Sequence, residues 1–190
     1  MADKLKKRTL VSVVGAATAA LLLVNIPAEE SGRKVDVKIA ADGTATVRHI
    51  SGKQYLKAYL DVVNVATACD GLTSYKGRKV RITDRFTEAQ CAAMLEEELI
   101  IHAEGVMRCT PGLALTIPRR DHVRFAMISL AYNVGVPTYC ASTARKRVNA
   151  GNIVGACEAL TWFNRAGGKI NRGLVARRGR ERAECVKDAA

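Results

Sequence analysis

The chain has 190 residues, 48% of them hydrophobic and 25% charged. That is the length of one domain, or one with an appendage, and it excludes disordered, collagen-like and repeat classes. Lys and Arg number 30 against 18 Asp and Glu, a net charge of +12, which points to an anionic partner such as nucleic acid, an anionic membrane or an acidic cell wall. Aromatic residues reach only 5% and no zinc-finger or RNA-recognition motif is present, which argues against nucleic acid.

Lys4, Lys6, Lys7 and Arg8 precede a run without charge from Leu10 to Pro27. Eighteen uncharged residues are marginally long enough to span a bilayer. The cations lie before the run and not just after it, so the amino terminus is predicted to be cytoplasmic and everything past about residue 28 periplasmic or extracellular. A cleaved signal peptide is the bland alternative, but Asn25-Ile26-Pro27-Ala28 is a poor small-x-small site. Gly15, Ala16, Ala17, Ala19, Ala20 and Asn25 make the run weakly apolar, so the expectation is an uncleaved, weakly held anchor helix. Residues 1–28 are then a basic stub plus anchor, and residues 29–190 the folded domain. Six cysteines, Cys69, Cys91, Cys109, Cys140, Cys157 and Cys185, all follow the run. Three disulfides outside the cytoplasm account for them, with fifteen connectivities open.

Residues 33–49 alternate with period two around Asp42-Gly43, a hairpin signal. A second β-leaning segment runs from Tyr55 to Thr73, so a small sheet is expected. Thr87-Glu88-Ala89-Gln90 has capping-box spacing and opens a helix ending near Cys109. Further helices are read over Arg120–Asn133, Ser142–Asn149, Asn152–Arg165 and Gly173–Asp188, several closed by glycine. The order of anchor helix, small sheet and five helices is an α+β layout. From Asn164 onward Arg165, Lys169, Arg172, Arg177, Arg178, Arg180, Arg182 and Lys187 face only three acids. Any one of them reads first as a solvated charge, and together they favour an anionic polymer or lipid headgroups.

No Gly-rich phosphate loop, nucleophile elbow or HExxH motif occurs, so no cofactor and no metal are assigned. Carboxylate chemistry remains, from Glu29 and Glu30 after the run and from Asp61 and Asp70 around Thr67. Glycoside hydrolysis needs two such groups, one protonated to serve the leaving oxygen and one ionised to activate water or stabilise the cation.

The stretch from Ala58 to Thr67, AYLDVVNVAT, followed by Cys69-Asp70-Gly71-Leu72-Thr73, resembles the catalytic β-hairpin of phage-type lysozymes, glycoside hydrolase family 24. Ser129 to Gly135, with Tyr132 and Asn133, Asn149-Ala150-Gly151, Trp162 to Lys169, Arg172-Gly173-Leu174 and Arg177-Arg178 follow in the family's order. The resemblance covers about residues 53 to 187. It implies a lysozyme-like fold, with a small β lobe and a mostly helical lobe, and hydrolysis of the β-1,4 bond between N-acetylmuramic acid and N-acetylglucosamine in peptidoglycan. It also implies a Glu, an Asp and a Thr as catalytic residues, the latter two falling on Asp61 and Thr67, and substrate contacts from Asp70, Tyr132 and Asn133.

The glutamate does not transfer directly, because relatives carry it nine residues before the Asp and that position here is Gly52. If the hairpin at 33–49 is an insertion, Glu30 becomes the general acid, with Glu29 in reserve. Either glutamate also reads blandly as the polar boundary of a membrane segment. Some family members are signal-anchor-release endolysins, exported by a weakly apolar helix, inactive while tethered to the inner membrane and active once freed into the periplasm. One group of these is restrained by a cysteine in the anchor, and this run has none. The competing functions are a catalytically dead, tethered peptidoglycan-binding protein and a lytic transglycosylase, the latter disfavoured by Asp61 and Thr67. A monomer is the default for an enzyme acting on an insoluble polymer.

Overall fold

The computed structural model describes residues 8–61 and 64–188. The uncharged run is not one helix. Thr9 caps a short α1 (Leu10–Val14) through a reciprocal bond with Ser12, and Gly15, at φ 84° and ψ 158°, separates it from α2 (Ala16–Ser31). Among the described residues no helix is long and apolar enough to cross a membrane, and the run expected as an anchor helix is packed into the protein. Leu10, Val14, Ala19, Leu22, Leu23 and Ile26 are 0% exposed in the main core. Its polar groups are used as well: Thr18 Oγ1 donates to Asp121 Oδ1 at 3.0 Å, and the Leu10 N–H donates to Glu96 at 3.3 Å. Helix α2 continues past the run through Glu29 and Glu30 and stops at Gly32, whose φ of 69° is the left-handed cap that glycine adopts most readily. The boundary read at residue 28 thus falls inside a helix. The basic stub, Arg8 excepted, lies outside the described residues.

The hairpin predicted at 33–49 forms as β1 (Lys34–Ile39) and β2 (Ala45–Ser51), antiparallel with Val37 opposite Val47. It packs on α2, and its tip reaches the start of the run, since a Cβ on Gly43 would stand 3.1 Å from Thr9 Oγ1. The second β segment is shorter than predicted, with β3 (Tyr59–Leu60) and β4 (Ala66–Thr67) pairing over two residues each. Two further hairpins were not legible: β5 (Ser74–Tyr75) with β6 (Arg78–Lys79), and β7 (Arg165–Ala166) with β8 (Lys169–Ile170). All four ladders stay separate two-stranded sheets rather than one small sheet, because three of them are only two residues long and expose no face wide enough to recruit another strand.

Helix α3 (Glu88–Cys109) carries the predicted capping box, with Thr87 and Gln90 bonded reciprocally. Then come α4 (Asp121–Val134), α5 (Val136–Ala141), α6 (Thr143–Asn149), α7 (Ile153–Leu160) and α8 (Arg172–Cys185). Every residue from Val123 to Ala131 is buried, so α4 is the central post against which α2, α3, α5, α7 and α8 pack. The predicted helix 152–165 stops five residues early, where the Gly167-Gly168 turn draws Arg165 into a hairpin. The six cysteines pair as Cys69–Cys91, Cys109–Cys140 and Cys157–Cys185. These join the turn after β4 to α3, α3 to α5, and α7 to α8.

Candidate active site

Glu29 and Glu30 occupy the last turn of α2, the negative end of the helix macrodipole and an unfavourable place for a carboxylate. Helix α8 supplies the compensating charge. Arg177 Nη1 donates to Glu30 Oε1 at 2.7 Å, and Arg180 grips Glu29 with two bonds of 2.7 Å. The two glutamates differ in kind. Burial works against the charge of Glu29, but the paired Arg180 guanidinium, with Arg177 and Arg178 behind it, holds its carboxyl below the usual range. Glu30 has one contact to a guanidinium that it shares, because Arg177 Nε also donates to Glu181 at 3.1 Å. Arg177 is 5% exposed, and although burial opposes its charge, Glu30 and Glu181 push its pKa above the ordinary range.

The Arg180 pair adds little to stability, since Arg180 is 60% exposed, and exposed ion pairs contribute at most about 1 kcal/mol. A depressed carboxylate stabilises the fold above its unfolded-state pKa and loses that contribution as pH falls through the folded-state value. Glu29→Gln should therefore lower the urea midpoint slightly at pH 7. The difference from the wild type should vanish toward pH 3.

On the other side of Glu30 lies the β3–β4 hairpin and the turn after it. Tyr59 stands opposite Thr67, and Asp61, just past β3, opens the turn that leads back to β4. The Asp61 carboxylate accepts the Val65 N–H at 2.9 Å, while Thr67, 3% exposed, donates its hydroxyl to the Val65 carbonyl at 3.0 Å. Gly71, in the turn that follows, comes so near that a Cβ there would lie 4.0 Å from Glu30 Oε2. The hairpin thus carries both Asp61 and Thr67, each bonded to Val65, and Gly71 brings the same lobe up to Glu30.

Asp70 is 1% exposed and does not face a ligand. Its carboxylate receives two bonds from Arg33, at 2.9 and 2.6 Å, and one from Ser31 Oγ at 2.8 Å. Tyr132 packs against His102, ring centroids 5.0 Å apart. Burial, followed by the negative charges of Glu30, Glu98 and Asp70, raises its phenol far above the ordinary range, so it stays a neutral hydrogen-bonding group. Asn133 lines a cleft of about 620 Å³ with Glu29, Phe163, Asn171, Arg177 and Arg180. Glu30 borders this cleft through Arg177 rather than lining it directly.

Three site residues escaped the sequence reading. Arg177 and Arg178 belong to the basic stretch read as solvated, yet both are buried, and with Ser129 they enclose the 2%-exposed Glu181. The i,i+4 and i,i+3 spacings to Glu181 were the available signal. Arg33 had none, since its partner is 37 residues away. No cluster of three His, Cys, Asp or Glu side chains that could hold a metal ion is found among the described residues.

Helices and short hairpins around a cleft, with a glutamate at a helix end beside the lobe that bears an Asp–Thr hairpin, are the arrangement of a lysozyme-like glycosidase. The comparisons with known proteins are specific. Residues 51–181 match the phage lysozyme family. The SAR-endolysin of Bacteriophage PS119 is 38% identical over 137 residues, spanning 72% of this chain and 77% of that protein. The endolysin from Escherichia coli O157:H7 phage FAHEc1 superposes with a TM-score of 0.62 at 28% identity, over 70% of this chain and 84% of the other. The active form of P1 phage endolysin Lyz shares the fold over 95% of this chain and 93% of its own, with a TM-score of 0.63 at 22% identity. The chain belongs to the phage lysozyme family and is a glycoside hydrolase.

Proposed function

We propose that this protein is an endolysin that cleaves the β-1,4 bond between N-acetylmuramic acid and N-acetylglucosamine, with Glu30 as general acid and Asp61 and Thr67 handling the water. The observation that carries the assignment is the approach of Glu30 to the lobe that holds Asp61 and Thr67, where a Cβ on Gly71 would lie 4.0 Å from Glu30 Oε2. Glu29, clamped by two bonds from Arg180, has less reason to carry a proton. Glu30 passes its proton to the glycosidic oxygen as the bond to the sugar C1 breaks. Asp61 takes a proton from the attacking water, and the Thr67 oxygen, its own hydrogen given to Val65, accepts the other water hydrogen and aims the lone pair. Asn133, in the cleft lining, and its neighbour Tyr132 are the proposed substrate contacts.

The run from Leu10 to Pro27 gives this enzyme two homes. In the membrane it tethers the protein with its catalytic lobe in the periplasm, and in the structure described here the same residues fill the core. Because Glu30 rides on α2, its place beside Asp61 depends on α2 having left the bilayer. Relatives named SAR-endolysins support this reading. Exchanging residues 10–26 for a Leu-rich segment should keep the protein in the inner membrane and abolish lysis, while the wild type, extracted and refolded, clears a wall suspension and releases products one water heavier than anhydro sugars. Lysis by the Leu-rich protein would overturn the tethering. An extracted wild type that binds the wall without clearing it would move the binding-protein reading forward.

A further inference from the structure

The β1–β2 hairpin lies between the proposed acid, Glu30, and its partner, Asp61. The covalent path between the two therefore runs out along one strand and back along the other, and it holds the carboxyl groups in register only as well as that hairpin is held. A second, shorter link exists. Two bonds from Arg33 to Asp70 and one from Ser31 Oγ to Asp70 join the last residues of α2 to the turn after Thr67. Arg33 and Asp70 are 3% and 1% exposed, so water does not compete for the pair, and Arg is the one cation whose planar fork locks distance and orientation together.

The receiving end is fixed independently. Asp70 follows Cys69, which is bonded to Cys91 at the start of α3, holds a left-handed φ of 55° and donates its N–H to Tyr55. Ala68 and Leu72 exchange backbone bonds of 2.9 and 2.8 Å around the same turn. At the other end, Ser31 Oγ lies 2.9 Å from the Pro27 carbonyl and shares its one hydrogen between that oxygen and Asp70, so the carboxylate is tied to the final helical turn that bears Glu30. Gly52 presses on the same point, where a Cβ would meet the Gly32 carbonyl at 2.6 Å.

We propose that Arg33 and Asp70 are a positioning pair that sets the distance between Glu30 and the Asp61–Thr67 hairpin, a short link beside the long covalent path through β1 and β2. Neither touches substrate. The idea rests on Glu30 being the acid, and the test separates the two claims. Removing one partner alone leaves a buried charge and endangers folding, whereas replacing both with apolar residues of similar volume is often tolerated. The variants are thus the double Arg33→Met, Asp70→Leu, the conservative Arg33→Lys, which keeps the charge but loses the fork, and the milder Ser31→Ala. Glu30→Gln is run in parallel on defined glycan strands.

Since a displacement of about 1 Å costs on the order of a hundredfold in rate, kcat of the folded double variant should fall by about ten- to a hundredfold with KM within a few-fold of wild type. The limb of its pH–rate profile assigned to the acid should also move. Arg33→Lys should fall between, and Ser31→Ala should lower kcat by only a few-fold. A merely structural pair would lower Tm and leave kcat per folded molecule and the pH profile unmoved. That outcome, in the double variant or, should it not fold, in Arg33→Lys, overturns the proposal while an inactive Glu30→Gln keeps the acid assignment. An active Glu30→Gln overturns both.

Discussion

Glu30→Gln should fold as the wild type does and lose about 10²- to 10⁴-fold in the rate of wall clearing, the range expected for removal of a general acid. The substitution is isosteric, and the amide oxygen can still accept from Arg177 Nη1, which stands 2.7 Å from Glu30 Oε1. What disappears is the transferable proton. Stability should fall modestly, because the gain of about 0.3–1 kcal/mol from removing a negative charge at the carboxyl end of α2 is outweighed by the loss of the charged partner of Arg177, which is 5% exposed. Arg177 then shares Glu181 with the equally buried Arg178, so two buried guanidinium groups face one carboxylate. Asp61→Asn should lose activity on a similar scale, and Glu29→Gln far less. Matched turbidity assays and thermal melts decide the matter. A Glu30→Gln protein as active as the wild type would place the acid elsewhere.

Features that short stretches of chain determine were legible before any coordinates. The capping box at Thr87, the Asp42-Gly43 hairpin and an even set of cysteines each carry their physics within a few residues or in a count. The β3–β4 hairpin was legible too, but only through resemblance, since two-residue strands such as Tyr59–Leu60 leave no periodicity to read. Illegible were the pairings that cross the chain. Arg33 with Asp70 and Arg177 with Glu30 are 37 and 147 residues apart. Neither Asp70 as a substrate contact nor Arg177 as a solvated charge survives once those partners are seen. The apolar run was ambiguous for a different reason. Its weak hydrophobicity suits a loosely held membrane helix, and it equally suits a helix with Ala facing its neighbours and Leu and Ile facing the core. Only the packing of Leu22, Leu23 and Ile26 against α4 and its surroundings separates the two.

That packing leads to the largest stability effect expected of this protein: a chain starting at residue 28 should fail to fold. It would lose Leu10, Leu22, Leu23 and Ile26, all 0% exposed, and truncating one such side chain to Ala already costs about 2–5 kcal/mol. Even with generous allowance for non-additivity, removing all four matches or exceeds the about 5–15 kcal/mol that holds a domain of this size together. The Thr18–Asp121 bond and the cover that α1 and α2 give to α3 and α4 go with them. Single substitutions grade the effect, with Leu22→Ala or Leu23→Ala each lowering stability by about 2–5 kcal/mol, readable as a shift in urea midpoint at unchanged slope. Cooperative unfolding of residues 28–190 at a near-wild-type Tm would refute it. The consequence reaches the mechanism, for the side chains that would hold the run in a bilayer are the ones that complete the core. The run can serve membrane or core but not both, so under the proposed tethering a membrane-held molecule would lack part of its own interior, and filling that interior would be the free-energy gain that favours release.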